Sequence, residues 1–140
     1  MQLLNFSLGN DNISVITDGS YLDLHNNFDL AGYDYNVVNN SLQITFKKSL
    51  GEWAKKDVFG NLKFKFSKVS LIKINGEGLL NNLNDNNCLD IIGFSSPDLK
   101  DDMESFPGNN EFKSENDMIF IFVTGHSIKI HSDSVILEVK

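Results

Sequence analysis

His126, His131 and Asp133 are the nearest thing in this chain to a set of metal ligands. A metal centre needs ligands that converge on one point. Five residues apart on a strand, the two histidines fall on opposite faces unless the turn at Gly125 re-aims one of them. His131 and Asp133 share a parity but lie among turn-forming residues. The set therefore reads as turn formers and surface histidines, and no metal is expected. Asp98, Asp101, Asp102 and Glu104 form an acidic run. A calcium loop needs ligands at alternating positions around a glycine at its sixth position, and that glycine is missing. Carboxylates at a helix start are the ordinary explanation. The same run, Asp98, Asp101 and Asp102 above all, also offers a surface to a basic partner.

Other chemistries leave weaker traces. Cys88 stands alone beside apolar residues, which suits a buried thiol better than a nucleophile and excludes an internal disulfide. No G-x-S-x-G nucleophile elbow occurs. Gly76-Glu77-Gly78 lacks the third glycine and the Lys-Ser/Thr pair of a phosphate loop. The 19 acids offer many carboxylate pairs for glycoside hydrolysis, and nothing singles out one. Phe64-Lys65-Phe66 lacks the glycines of an RNA-stacking strand and reads as core. Trp53, with Tyr33 and Tyr35, would line a ligand groove if the sheet brought the three together. An edge-packed Trp53 is the simpler expectation. No cofactor is expected.

Composition narrows the function classes. The chain has 140 residues and 41% hydrophobic content, enough for one domain over 1–140 with a sizeable core. Much of that core falls to 11 Phe. All 12 basic residues are Lys, so no guanidinium fork is available for clamping phosphate or carboxylate. A net charge of −7 disfavours nucleic acid and suits a basic protein partner. Met1 to Phe6 lacks the basic and apolar regions of a signal peptide, and no apolar run is long enough to span a membrane. The expected address is cytoplasmic, with no membrane partner.

The elements that must position these residues read as mainly β. Met118–Val123 is an unbroken apolar run suited to a strand buried on both faces. Thr124–Ser127, with Gly125, reads as a hairpin turn. Ile128 and Ile130 then alternate with Ser127, Lys129 and His131, which predicts a strand with one wet face. His131–Ser134 reads as a second turn and Val135–Val139 as a third strand. Upstream, Leu3–Leu8, Ile13–Thr17 and Tyr21–His25 read as short strands. Phe28–Val38 pairs with Leu42–Phe46 through a turn at Asn39-Asn40. Leu50–Asp57 reads as a loop or one helical turn. Asn61–Ile74 reads as one long bent strand or two joined by a bulge, 75–87 as a long loop, and Cys88–Phe94 as a strand. Ser96-Pro97-Asp98 is placed to cap a short helix over Leu99–Phe106. The fold expected is an antiparallel sheet forming a sandwich or partly open barrel, with one or two short helices. An open edge strand would permit a homodimer.

Leu24-His25-Asn26-Asn27-Phe28, Tyr33-Asp34-Tyr35, Leu42–Phe46 and Gly51-Glu52-Trp53, followed by Leu62–Ile74, Ile92-Gly93-Phe94 and Ile119–Val139, resemble a family of uncharacterised small bacterial proteins. Some proteins of this size and pattern look like immunity proteins of bacterial toxin systems. The resemblance supplies no catalytic residues. It implies a non-enzymatic, protein-binding module and draws attention to His25 and Asn26. Asn is also a habitual local clamp of backbone turns, so these two serve either a turn or a binding surface. The alternative is a small-ligand-binding β domain that uses its aromatic side chains.

Overall fold

The computed structural model describes residues 1–76, 87–99, 101–103 and 111–140. Among these the strands are β1 (Gln2–Leu3), β2 (Ser7–Leu8), β3 (Ser14–Thr17), β4 (Ser20–Asp23), β5 (Phe28–Asn36), β6 (Ser41–Lys48), β7 (Asn61–Asn75), β8 (Leu89–Ser95), β9 (Asp117–Phe122) and β10 (Ser127–Val139). One helical turn, α1 (Leu24–Asn27), precedes β5, and 3-10 turns cover Glu52–Lys56 and Pro97–Leu99. The large sheet runs β5-β6-β7-β10-β9-β8, all antiparallel, and β1 adds in parallel to β10. It curls into a half-barrel. β2, β3 and β4 form a separate small sheet. The described part of the chain is thus mainly β, as its alternation predicts. No described helix is long and apolar enough to cross a membrane.

Period-two alternation builds the core. Leu42, Ile44 and Phe46 of β6 lie opposite Phe66, Phe64 and Leu62 of β7. The two rows share one face, while Gln43, Thr45, Lys63 and Lys65 take the other. Phe64 is fully buried and meets Phe6, Phe46 and Phe120 edge-on at 5.5, 6.0 and 5.4 Å between ring centres. Leu8, Val15 and Leu22 of the small sheet belong to the same buried cluster. The small sheet therefore packs over the aromatic face of the large one.

β7 and β10 pair from Ser127↔Asn75 to Val139↔Leu62 with one shift, between His131 and Ser132. His131 faces Leu71 and Ser132 faces Val69, so Ser70 is the extra residue of a bulge in β7. Lys68, two residues before it, takes a positive φ of 52°, and the N–H of Val69 donates to Asn40 O at 2.8 Å. The long bent strand expected over 61–74 is present. The turn expected at His131–Ser134 is not: β10 continues through it, because β7 supplies an unbroken partner and Ser70 absorbs the irregularity. The wet face expected for Ser127 and Lys129 is also absent, as both are fully buried. Tyr21–His25 divides into β4 and α1, and Leu3–Leu8 into β1 and β2. Helical structure after Ser96 is confined to Pro97–Leu99 among the described residues; Phe106, most of the expected loop 75–87 and part of Gly76-Glu77-Gly78 lie outside them.

The two ends of the sheet approach each other near α1. Leu30 N–H donates to Asn87 O at 2.8 Å, His25 Nδ1 meets the carbonyl of Leu89, and Cys88 Sγ lies 3.7 Å from His25 O. Replacing Phe64 by Ala should cost about 3–5 kcal/mol of stability, the usual penalty for deleting a buried ring. Urea denaturation of Phe64→Ala against wild type measures it. A cost below about 0.5 kcal/mol, the range of surface substitutions, would contradict this packing.

Candidate functional site

The alternation that buries Ile128 and Ile130 turns Ser127, Lys129 and His131 to the opposite face of the sheet. On that face Lys129 of β10 lies opposite Ile119 of β9, and Ser95 of β8 lies opposite Asp117 of β9. Lys129 donates to the carbonyls of Leu99, at 2.7 Å, and Asp102. The segment after β8 thereby becomes a strap over the sheet. Lys73 of β7 ion-pairs with Asp101 of the same strap. Burial pushes the Lys129 ammonium below its ordinary pKa, while the negative charges of Asp117, Asp102 and Asp101 act in the other direction.

Asp117 heads β9 and is 1% exposed. Its Oδ1 accepts a hydrogen bond from His131 Nδ1 at 2.9 Å. Its Oδ2 is buried with no partner, and so is Oγ of Ser95 opposite it. A carboxylate on Nδ1 fixes the neutral imidazole with its proton on that nitrogen, which leaves Nε2 as an acceptor. His131 is part-exposed and lines a pocket of about 480 Å³ with Ser70, Leu71, Pro97, Glu115 and Asp117. The bulged residue of β7 thus stands beside the imidazole of β10.

His25, Asn26 and Trp53 come together, in structural contacts. The His25 ring engages the Leu89 carbonyl across the seam. Asp23 caps α1 by accepting from Asn26 N–H at 2.9 Å, and its other oxygen accepts from the Asn26 side chain at 2.8 Å. Trp53 is 65% exposed, yet its indole N–H donates to Asn26 O at 2.7 Å. The indole lies on Gly51, where an added Cβ would stand 2.3 Å from the ring. Tyr33 and Tyr35 sit further along β5, opposite the buried Ile44 and Leu42, and rim the core face half-exposed. Tyr35 donates to Asn40 Oδ1 at 3.0 Å. Tyr33 lines a pocket of about 280 Å³ with Leu30, Ala31, Gly32, Ile74, Asn87 and His126, and Trp53 is not among its walls.

The acidic run is divided. Asp98 is exposed, Asp101 is held by Lys73, and the Asp102 carbonyl takes Lys129; Glu104 lies outside the described residues. His126, His131 and Asp133 do not converge. His126 stacks on Phe122 at 4.1 Å and engages Thr124, while Asp133 pairs with Lys68. Among the described residues no group of three or more His, Cys, Asp or Glu is placed to hold a metal. Sequence reasoning missed Asp117 altogether. The available signal was a carboxylate directly ahead of the buried run Met118–Phe122, where a charge needs a partner. No protein-family model, curated protein or solved structure matches the chain.

Two outcomes follow from these contacts. Gly51→Ala should displace the indole and break its bond to Asn26, shifting Trp53 fluorescence to the red; an unchanged emission maximum would count against the contact. Desolvation holds the His126 pKa below 6.5. The unfolded chain then binds the proton more readily, so stability conferred by neutral His126 is present above pH 6.5 and is lost as pH falls through the folded value. Urea midpoints at pH 7 and pH 5 should therefore diverge more for wild type than for His126→Phe. Equal divergence would remove His126 from the acid response.

Proposed function

We propose that this chain is a non-enzymatic protein-binding module that takes up a strand of a basic partner along the outer edge of β5. The observation that carries the reading is the edge itself. β5 ends the sheet, and beyond Leu30 no described strand pairs with its outer side. Next to that edge Tyr33 and Tyr35 are 49% and 39% exposed, and Val37 and Val38 in the following turn are 73% and 92% exposed. An open edge offers backbone hydrogen bonds to an added strand, and flanking apolar side chains give the added strand contacts. The net charge of −7 would steer a basic protein toward it. The reading extends to an immunity-like role in which the acidic chain covers the working surface of a basic toxin. The resemblance to small bacterial proteins belongs to the same proposal.

The apolar pocket beside Tyr33 favours a second reading, a small-ligand-binding β domain. One variant separates the two. Val38 is outside that pocket, so Val38→Asp should impair strand docking and leave ligand uptake intact.

The test is affinity capture from cells of the source organism, with a salt step and identification by mass spectrometry. A single basic protein should elute with salt, and its affinity for purified Tyr35→Ala/Val38→Asp should fall by about tenfold or more, the loss of one or two interface anchors. No such partner, or one indifferent to both substitutions, would overturn the β5 reading. Saturable uptake of an apolar dye that Tyr33→Ala abolishes would then favour the pocket.

A further inference from the structure

We propose that the pocket bounded by Ser70, Leu71, Pro97, Glu115, Asp117 and His131 binds a small organic cation of the guanidinium or alkylammonium class. It uses strands β7, β9 and β10 and does not rest on the β5 reading. His131 Nε2, the Glu115 carboxylate and the Ser70 hydroxyl can all accept a hydrogen bond, and no lysine is among the lining residues. The nearest buried ammonium on that face, Lys129, is bound to the carbonyls of Leu99 and Asp102. An anion would meet carboxylates with no opposing cation in the wall. A ligand with several N–H donors and a positive charge meets acceptors.

Asp117 is the second observation. It is 1% exposed, and one of its oxygens has no partner. A buried carboxylate so poorly satisfied leaves a negative potential that a nearby positive charge relieves. Asp117 does not itself touch the ligand. It is a positioning residue: by accepting from His131 Nδ1 it fixes the tautomer in which the neutral ring presents Nε2 as an acceptor. Leu71 and Pro97 supply apolar walls for the face of a planar guanidinium. Glu115 is exposed, which suits an ion pair made and broken with solvent. The volume of about 480 Å³ holds such a cation together with water or a short alkyl chain. The same chemistry could arrive as a free small molecule or as a basic side chain on a polypeptide.

Imidazole nitrogen NMR of the whole chain tests this, with ethylguanidinium as probe and acetate as control. The neutral His131 ring should carry its proton on Nδ1. Ethylguanidinium should shift its Nε2 signal saturably, with a Kd of the order of 1 mM or tighter, and acetate should not. Glu115→Gln, at an exposed position, should weaken binding by about fivefold, the scale of a surface ion pair. Asp117→Asn should move the proton to Nε2 and weaken binding by about tenfold, the scale of one charge-assisted contact. A capped Gly-Arg-Gly peptide supplies the second source: tighter binding of the peptide supports a partner side chain, and tighter binding of ethylguanidinium supports a free cation. A proton on Nε2 in the wild type, a linear response to ethylguanidinium, an equal response to acetate, or an unchanged affinity in Glu115→Gln would overturn the proposal. The wild-type tautomer and Glu115→Gln decide the matter even if Asp117→Asn fails to fold.

Discussion

The antiparallel pairing of β7 with β10 is the constraint on which the remainder of this structure rests. β7 accompanies β10 along its whole length, while β9 and β1 divide its other side between them. β9 reaches only to Ile130, and β1 takes over at Ser134. The stretch between is where the ladder shifts, where Ser70 bulges from β7, and where His131 turns to Asp117 at the head of β9. The aromatic face and the polar face of the sheet are two sides of one pairing. Moving it by one residue would exchange Ile128 and Ile130 for Lys129 in the core.

The polar face shows how a charge can be kept in a sheet at tolerable cost. An isolated buried ammonium or carboxylate is strongly disfavoured. Lys129 is accommodated because two backbone carbonyls of the strap accept hydrogen bonds from its ammonium and because carboxylates lie nearby. Asp117 is accommodated on one side only, by His131. The outcome is an asymmetry, with one buried charge well supplied by backbone and the other incompletely supplied beside an opening.

Most of the fold was legible because period-two alternation is local. Leu42–Phe46, Leu62–Phe66 and Met118–Phe122 announce their strands and their core faces without knowledge of any neighbour. What was illegible depended on partners distant in sequence. His131–Ser134 is rich in turn formers, and only the presence of β7 alongside makes it strand. Ser127 and Lys129 look wet because nothing near them in sequence foretells a strap whose carbonyls bind the ammonium. His25 and Asn26 were visible as residues of interest, and their contacts to Leu89, Asp23 and Trp53 required the seam between β5 and β8. Asp117 is marked only by its place directly ahead of Met118–Phe122; its bond to His131 depends on β10, a strand distant in sequence.

The placement of β10 in the middle of the sheet governs how the chain can acquire its structure. β5, β6 and β7 form from neighbouring stretches, whereas β7 finds its second neighbour only in residues 127–139. β1 likewise waits for Ser134 and Val135 before it has any sheet to join. Closing loops of that length precedes the reward of the contacts, which places such topologies among the slow folders, in the range of milliseconds to seconds. During synthesis β7, with Leu62, Phe64 and Phe66, would lack its β10 neighbour until residues 127–139 emerged. The row of lysines that alternates with those residues, Lys63 and Lys65, is then more than surface decoration. Like charges on an uncovered strand disfavour its pairing with the same strand of another copy.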